Sequence, residues 1–460
     1  MPSDAAAAPP LAPLPHPARA VLSQGLPLAL GFLSHALINL VDLAMVGRLG
    51  ADAVRAAHVA TTWNFLPMLV GQCVSTALLS RLSRLLGAGE RDAARAFHRS
   101  GEWFMLWLGL GVSVLSALPA TLMVDATGMT GAARADAVHY LVVANLGCVP
   151  MFVLMQTTAA MRAAGEATMP LALLLLANVG NLLLAAVLLY GWDWLGVPSV
   201  GVVGAAYAAV AARIVAAALA LLWMRRRSHA LTLAGPRPGA HPSVARPLVA
   251  DAWPQVVQIG LRAAMFLVLT AVVQWRFGDD ATAAIGITTR FDTLVLFAAL
   301  GFGNAATVYA AQALARGEVR AARAAGLWAG LQAGLFGSVV VALTIAGSEM
   351  LARLFVDAPS PELIAVTKSY FTSGAWAAVL GAAALAAMGA VHGAGRMRPP
   401  MVVDLVAFPV ALGCLVLAVR MDASLDQVFG ALCAGMAAVA ALHLTLVRWG
   451  PWTGSGRLTP

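Results

Sequence analysis

The chain has 460 residues, of which 60% are hydrophobic and only 11% charged, a balance that excludes a water-soluble fold. Its formal net charge of +8 would suggest nucleic acid in a soluble protein, but here the arginines fall between apolar runs and serve orientation in a membrane. A nucleic-acid partner is thereby excluded, and the lipid bilayer is the expected solvent.

Residues 1–18 are rich in Ala and Pro and read as a short disordered tail. The apolar run that follows is too long for a removable signal peptide and lacks its cleavage pattern, so the tail is expected to stay on. At about 20 apolar residues per crossing, helices are predicted near 20–47, 57–86, 98–121, 137–162, 168–190 and 201–224, together an N-lobe over 19–224. Arg225, Arg226 and Arg227 open a Pro- and Gly-rich stretch, 225–247, that reads as a cytoplasmic linker. Six more helices follow near 248–275, 283–314, 324–346, 364–393, 400–420 and 427–449, a C-lobe over 248–450 with a tail at 451–460. The expected fold is all-α, a polytopic membrane protein whose twelve transmembrane helices form two six-helix bundles.

An internal repeat links the two halves. LLGAGERDAARA, Leu85 to Ala96, returns 228 positions later as ALARGEVRAARA, Ala313 to Ala324, with seven identities. A weaker echo joins Met161–Pro170 to Val391–Pro400. Six crossings per half leave both copies in the same orientation, so the repeat is parallel, an arrangement that builds secondary transporters with a path between the halves. Most Lys and Arg fall in the tails and the even-to-odd loops, which places both termini in the cytoplasm.

Trp192, Trp194, Trp223, Trp253, Trp275, Trp449 and Trp452 lie near span ends and read as interfacial belts. Cys73, Cys148, Cys414 and Cys433 sit in apolar segments without metal spacing and read as small buried thiols. No cofactor or metal is expected.

Polar residues inside spans are the sharper clue, because a carboxylate at bilayer depth is costly unless it faces water or a partner. His35, Asn39 and Asp42 recur at i, i+4 and i+7 and share one face of the first span. That face lines a cavity, or else Asp42 is an interfacial acid paired with Arg48 or Arg55 and His35 and Asn39 bond neighbouring helices. The seventh span carries Gln255, Gln258 and Arg262 on one face. Aligning Pro27 with Pro254 sets His35 on Arg262 and Asp42 on Leu269, so the halves have diverged in charge. Arg262 contacts substrate, or is bonded to backbone carbonyls or to Asp404. Asn178, Asn181, Asn145, Gln156 and Gln72 offer amides that ligate a cation, bond a carboxyl group, or simply join helices. Arg213 and an Arg290–Asp292 pair read as structural, the pair satisfying itself locally.

On these residues the chain resembles the multidrug and toxic compound extrusion (MATE) transporters over nearly its whole length. The resemblance rests on Pro27 followed by Asp42, Gly47 and Leu49-Gly50, on the Gly87–Glu90 loop, on MRAAGEATMP leading into Asn178–Asn181, and on GVVGAAYA from Gly201. It is similar in particular to the branch of DNA-damage-inducible protein F. The resemblance implies a monomeric antiporter in a bacterial-type plasma (inner) membrane. It further implies a central cavity and export of organic, often cationic, drugs or metabolites against inward proton or sodium flow.

It also implies that Asp42 couples the ion with Asn181 beside it, Asn39 and Asn178 supporting, and that Pro27 provides a helix kink. His35, Gln72, Asn145, Gln258 and Arg262 are then expected in the substrate cavity. The family's second aspartate, four residues past Asn181, is Ala185 here. The glutamate that a sodium-using branch places in the seventh span is Arg262, which argues against a sodium site in the second lobe.

Desolvation favours the uncharged form of a carboxyl group, and sodium wants several oxygen ligands where one carboxylate is offered, so protons are preferred as the coupling ion. Two other classes compete with this reading. A lipid-linked saccharide flippase of the wider superfamily would favour extra spans and a strongly cationic cavity. A membrane enzyme would need a nucleophile beside a base or a ligand cluster within the spans, and none is evident.

Overall fold

The computed structural model describes residues 13–226, 231, 244–355 and 360–453. Within them the chain is helical, because in lipid a helix satisfies every backbone group internally. We number the long helices α1 (Pro17–Gly47), α2 (Ala51–Gly87), α3 (Arg91–Ala117), α4 (Gly131–Ala163), α5 (Thr168–Tyr190) and α6 (Val203–Met224). The second half holds α7 (Ala245–Gly278), α8 (Ala281–Ala315), α9 (Val319–Ala346), α10 (Pro361–Gly393), α11 (Arg398–Arg420) and α12 (Leu425–Trp449).

Among the described residues, eleven of these are long and apolar enough to cross a membrane. The remaining one, α3, has the length, at 27 residues, but its first half carries Arg91, Asp92, Arg95, His98, Arg99 and Glu102. Every predicted span is a helix, with ends within seven residues of expectation, the largest difference being the start of α3 at Arg91 rather than 98. Most of the predicted N-terminal tail, 1–12, lies outside the described residues, as do 227–230 and 232–243 of the predicted linker. The helix nonetheless starts inside that tail: Pro17 occupies its first turn, where a missing N–H costs nothing, and the His16 ring accepts from the Ala18 amide.

The repeat has a physical basis in four glycines. Gly89 and Gly317 adopt φ of 79° and 78°, and Gly165 and Gly395 adopt 88° and 72°. At each, the following residue bonds back five positions: Glu90 to Leu85, Glu318 to Ala313, Glu166 to Met161 and Arg396 to Val391, at 2.9, 2.8, 3.0 and 3.2 Å. These are Schellman caps, which need a left-handed residue and so select Gly. The short helices Ala120–Asp125 and Ser348–Phe355 stand at corresponding places after α3 and α9.

The lobes meet at the end carrying these caps. Arg81 of α2 grips Asp251 of α7 at 2.7 Å, and Ser80 donates to the His392 carbonyl at 2.7 Å. Gln312 of α8 donates to the Ala163 carbonyl at 3.2 Å, and Gln332 of α9 to the Ala18 carbonyl at 2.9 Å. Ala20, Val21 and Ala29 of α1 share a core with α8, α9 and α10. The Arg81–Asp251 pair is only partly exposed, at 25% and 18%, so its loss is expected to weaken closure of this end by about 1–2 kcal/mol. In Arg81→Ala, spin-label distances across this end should therefore broaden toward longer values, whereas unchanged distances would mean that the pair does not hold the lobes.

Two features correct the sequence reading. Trp452 is not an interfacial belt residue: it is 2% exposed, donates to the Leu446 carbonyl at 2.8 Å and lies beneath Arg323, closing the end of α12. Of the four thiols, Cys73 and Cys148 are buried, whereas Cys414 is exposed and Cys433 half-buried, since their faces of α11 and α12 do not all turn inward.

Candidate functional site

The polar face of α1 meets α5. Asn181 donates to Asp42 Oδ2 at 2.8 Å, and the other carboxylate oxygen, Oδ1, is buried without a hydrogen-bond partner. One turn earlier on α5, Asn178 bonds His35 Nδ1 through its carbonyl oxygen at 3.1 Å and donates to Ser34 at 3.0 Å. The two amides thus divide: Asn181 reaches the acid, and Asn178 is used up joining α1 to α5. Asn39 is exposed and makes no bond to Asp42. Among the described residues neither Arg48 nor Arg55, the alternative partners, forms an ion pair with Asp42; Arg55 lies 3.6 Å from Asp52.

Pro27 lies inside α1 as Pro254 lies inside α7. Leu269, which the repeat sets opposite Asp42, is 5% exposed in an apolar core, and Ala185 is fully buried. The second lobe thus fills with hydrocarbon the place where the first keeps a carboxyl group.

A cleft lies between the lobes, lined by α2, α7, α8 and α10. Of the residues expected there, it takes Gln72, Gln258 and Arg262, and it adds Gln255, Asn304 and His392. Gln258 donates to the Met397 carbonyl at 3.4 Å. Arg262 stands 4.0 Å from Asp404 and over the Phe408 ring, and its Nε is buried without a hydrogen-bond partner. His35 is not on the lining of this cleft but faces Phe297 of α8 across the lobes, with ring centroids 6.3 Å apart.

Asn145 is absent from the lining. It accepts from Asn64 at 2.9 Å and donates to the Ser116 carbonyl at 2.8 Å, tying α4 to α2 and α3. Gln156 is likewise buried, against His98 at 3.4 Å.

Three further acids lie within the helices, each beside a partner on a neighbouring helix. Glu102 of α3 accepts from Thr157 at 2.8 Å, with His98 at 3.9 Å. Asp292 of α8, expected to satisfy itself with Arg290, instead accepts from the Tyr370 hydroxyl in the π-helical turn of α10. Asp404 of α11 is fully buried beside His443 of α12 at 3.1 Å. A lone acid in an apolar span announces itself, but its partner sits on another helix.

The division of the two asparagines yields a test. Asn178→Ala should mainly cost stability, about 1 kcal/mol per lost bond, and leave the ion response intact. Asn181→Ala should alter the pH dependence of transport at near-normal stability. Thermal unfolding alongside pH-dependent uptake separates the two, and the reverse assignment of effects would reject this reading.

The comparisons agree with this architecture. The MatE family model matches residues 27–187 and again 254–416, one copy per lobe. A probable multidrug resistance protein NorM of Deinococcus radiodurans is 29% identical over 85% of each chain, and one of Brucella suis is 28% identical over 93% of this chain and 92% of its own. Among solved structures, an outward-facing multidrug resistance MATE family transporter aligns with a TM-score of 0.85 at 20% identity, covering 94% of this chain and 96% of that one. A transporter of the MOP superfamily from Pyrococcus furiosus aligns at 0.84 over the same shares. With both halves matched, the chain belongs to the MatE family.

Proposed function

We propose that the chain is a proton-coupled antiporter that exports organic cations by rocking of the lobes 19–224 and 248–450, with Asp42 as the group that takes and releases the proton. The observation that carries this reading is the half-buried carboxyl group of Asp42, held through one oxygen by Asn181, with its other oxygen buried and without a hydrogen-bond partner. An oxygen with a free lone pair at membrane depth can accept a proton or a cation. Sodium would need several oxygens around it, whereas Asn39 makes no bond to Asp42 and the carbonyl oxygen of Asn178 is taken by His35.

The relatives' names as multidrug resistance proteins agree with drug export. The capped end, rich in Arg, is the cytoplasmic side in this reading, and the lobes joined there correspond to an outward-facing state. Such a state would receive a proton from outside and give up its cation in exchange. Asp42 in the first span, with Pro27 before it, supports kinship with the branch of DNA-damage-inducible protein F.

Purified protein in liposomes loaded with ethidium tests the reading. A pH gradient alone should drive ethidium movement, and a sodium gradient alone should not. Movement driven by sodium without a pH gradient would reject proton coupling.

A further inference from the structure

We propose that the furrow between α5 and α6 binds one anionic phospholipid, its acyl chain lying along the helices and its phosphate held by Arg226. The furrow is walled by Ala172 and Leu176 of α5 and by Leu219 and Leu222 of α6, with Trp223 and Arg226 at the capped end. Its α5 wall runs from Met169 through Ala172 and Leu173 to Leu176, the i, i+3, i+4 and i+7 positions of one helical stripe. Ala172 is the small member of that stripe, while Leu176, Leu219 and Leu222 stand 45%, 40% and 57% exposed. An open apolar trough of this kind takes hydrocarbon in preference to water.

The mouth of the furrow is cationic. The Arg226 guanidinium lies over the Trp223 ring, 4.0 Å from its centroid, and the indole Nε1 donates to Glu166 at 3.4 Å. The acid thus fixes the edge of the ring, and the face carries the cation. Among the described residues neither Arg226 nor its neighbour Arg225 forms an ion pair or a side-chain hydrogen bond. Arg323, the cation over Trp452 at the end of α12, shows the contrast: it donates to the Gly450 carbonyl at 2.9 Å and to Thr453 at 3.3 Å, and is spent within the protein. Arg226 keeps its side-chain donors for an outside acceptor, and two guanidinium groups against the one carboxylate of Glu166 leave the mouth positive.

A phospholipid has both halves of this chemistry. It joins hydrocarbon to a phosphate, and Trp and Arg at the end of a transmembrane helix mark the depth at which that phosphate lies. The planar guanidinium offers paired N–H donors that match phosphate oxygens, and an anionic headgroup keeps the attraction that the amine of a zwitterionic one offsets. Free phosphate would meet the same arginine but gain nothing from the leucines. A lipid bound here backs α5 on the face opposite Asn178 and Asn181, which hold α1. It therefore supports the helix that holds Asp42 without touching the acid.

Native mass spectrometry of the full purified chain tests the site, with phosphatidylglycerol and phosphatidylcholine of identical acyl chains as probes. One phosphatidylglycerol should bind about fivefold more tightly than phosphatidylcholine, the factor that one arginine at headgroup depth supplies. Arg226→Gln should remove that preference. Ala172→Phe, which fills the trough from an exposed position, should weaken both lipids. Equal binding of the two lipids by the unaltered chain, or a preference that persists in Arg226→Gln, would overturn the proposal.

Inorganic phosphate added in excess should leave the bound lipid in place, and its displacement would make the mouth a site for free phosphate and sink the lipid reading. Thermal unfolding gives a second readout, because a ligand of the folded state raises the unfolding temperature. Phosphatidylglycerol should raise it more than phosphatidylcholine does, and the difference should vanish in Arg226→Gln. The same difference in the variant would place the stabilising lipid elsewhere and reject this site. Neither measurement involves substrate or an ion gradient, so the outcome is independent of the export proposed above.

Discussion

Asp42→Asn is expected to lower proton-driven export by at least about tenfold while the protein still inserts and folds. The amide is nearly isosteric with the carboxyl group and keeps an oxygen where Asn181 donates at 2.8 Å, so the α1–α5 contact survives. What it loses is the ability to carry a proton. Efflux driven by an imposed pH gradient in liposomes, normalised to the amount of folded protein by size-exclusion profile, provides the measurement. Full export at normal expression would remove Asp42 from the mechanism. A control at Asn39, exposed and not bonded to the acid, should leave export close to normal if the Asp42–Asn181 pair is the coupling element.

The contrast between what could be read and what could not follows the range of each interaction. Helix positions were legible because a run of apolar residues must cross lipid as a helix whatever its neighbours are. The repeat was legible because its glycines perform a local task, four left-handed helix caps that no other residue fills as easily.

Partner choice was not legible. Asn178 and Asn181 are three apart on one face of α5, and which of them meets Asp42 depends on how α1 is set along α5, a register fixed only by packing. Asp292 illustrates the same limit: two residues from Arg290 in sequence, it bonds Tyr370 on a different helix. Residues i and i+2 on a helix do not face each other, so that local pairing was geometrically poor from the outset. Asp404 appeared in the sequence only as one partner for Arg262, while His443, which meets it more closely, lies on the last helix and has no local signal at all.

Glycine positions separate folding from movement. Gly389 of α10 abuts the Gly303 carbonyl of α8 within the C-lobe, and Gly301 of α8 abuts the Ala29 backbone of α1 across the lobes. In lipid, where apolar burial gives helices little preference for one another over acyl chains, such backbone approach is what holds them together. A Cβ at either place collides with main chain that cannot rotate away. Gly389→Val should therefore destabilise the C-lobe itself, by about 3 kcal/mol, the upper part of the usual range for overpacking, seen as a lower unfolding temperature and poor recovery of purified protein. Under the rocking proposed above, Gly301→Val places its strain on a contact that forms and breaks. It should leave each lobe folded, separate α1 from α8, and shift spin-label distances at the capped end toward the open state, with export falling more than stability. If Gly301→Val instead unfolds the protein as Gly389→Val does, the α1–α8 contact belongs to the permanent core and the axis of movement lies elsewhere. Retained export with unchanged distances would show that the backbone can yield there. The stability ratio of the two variants thus identifies which close contact is mobile, without knowledge of the substrate.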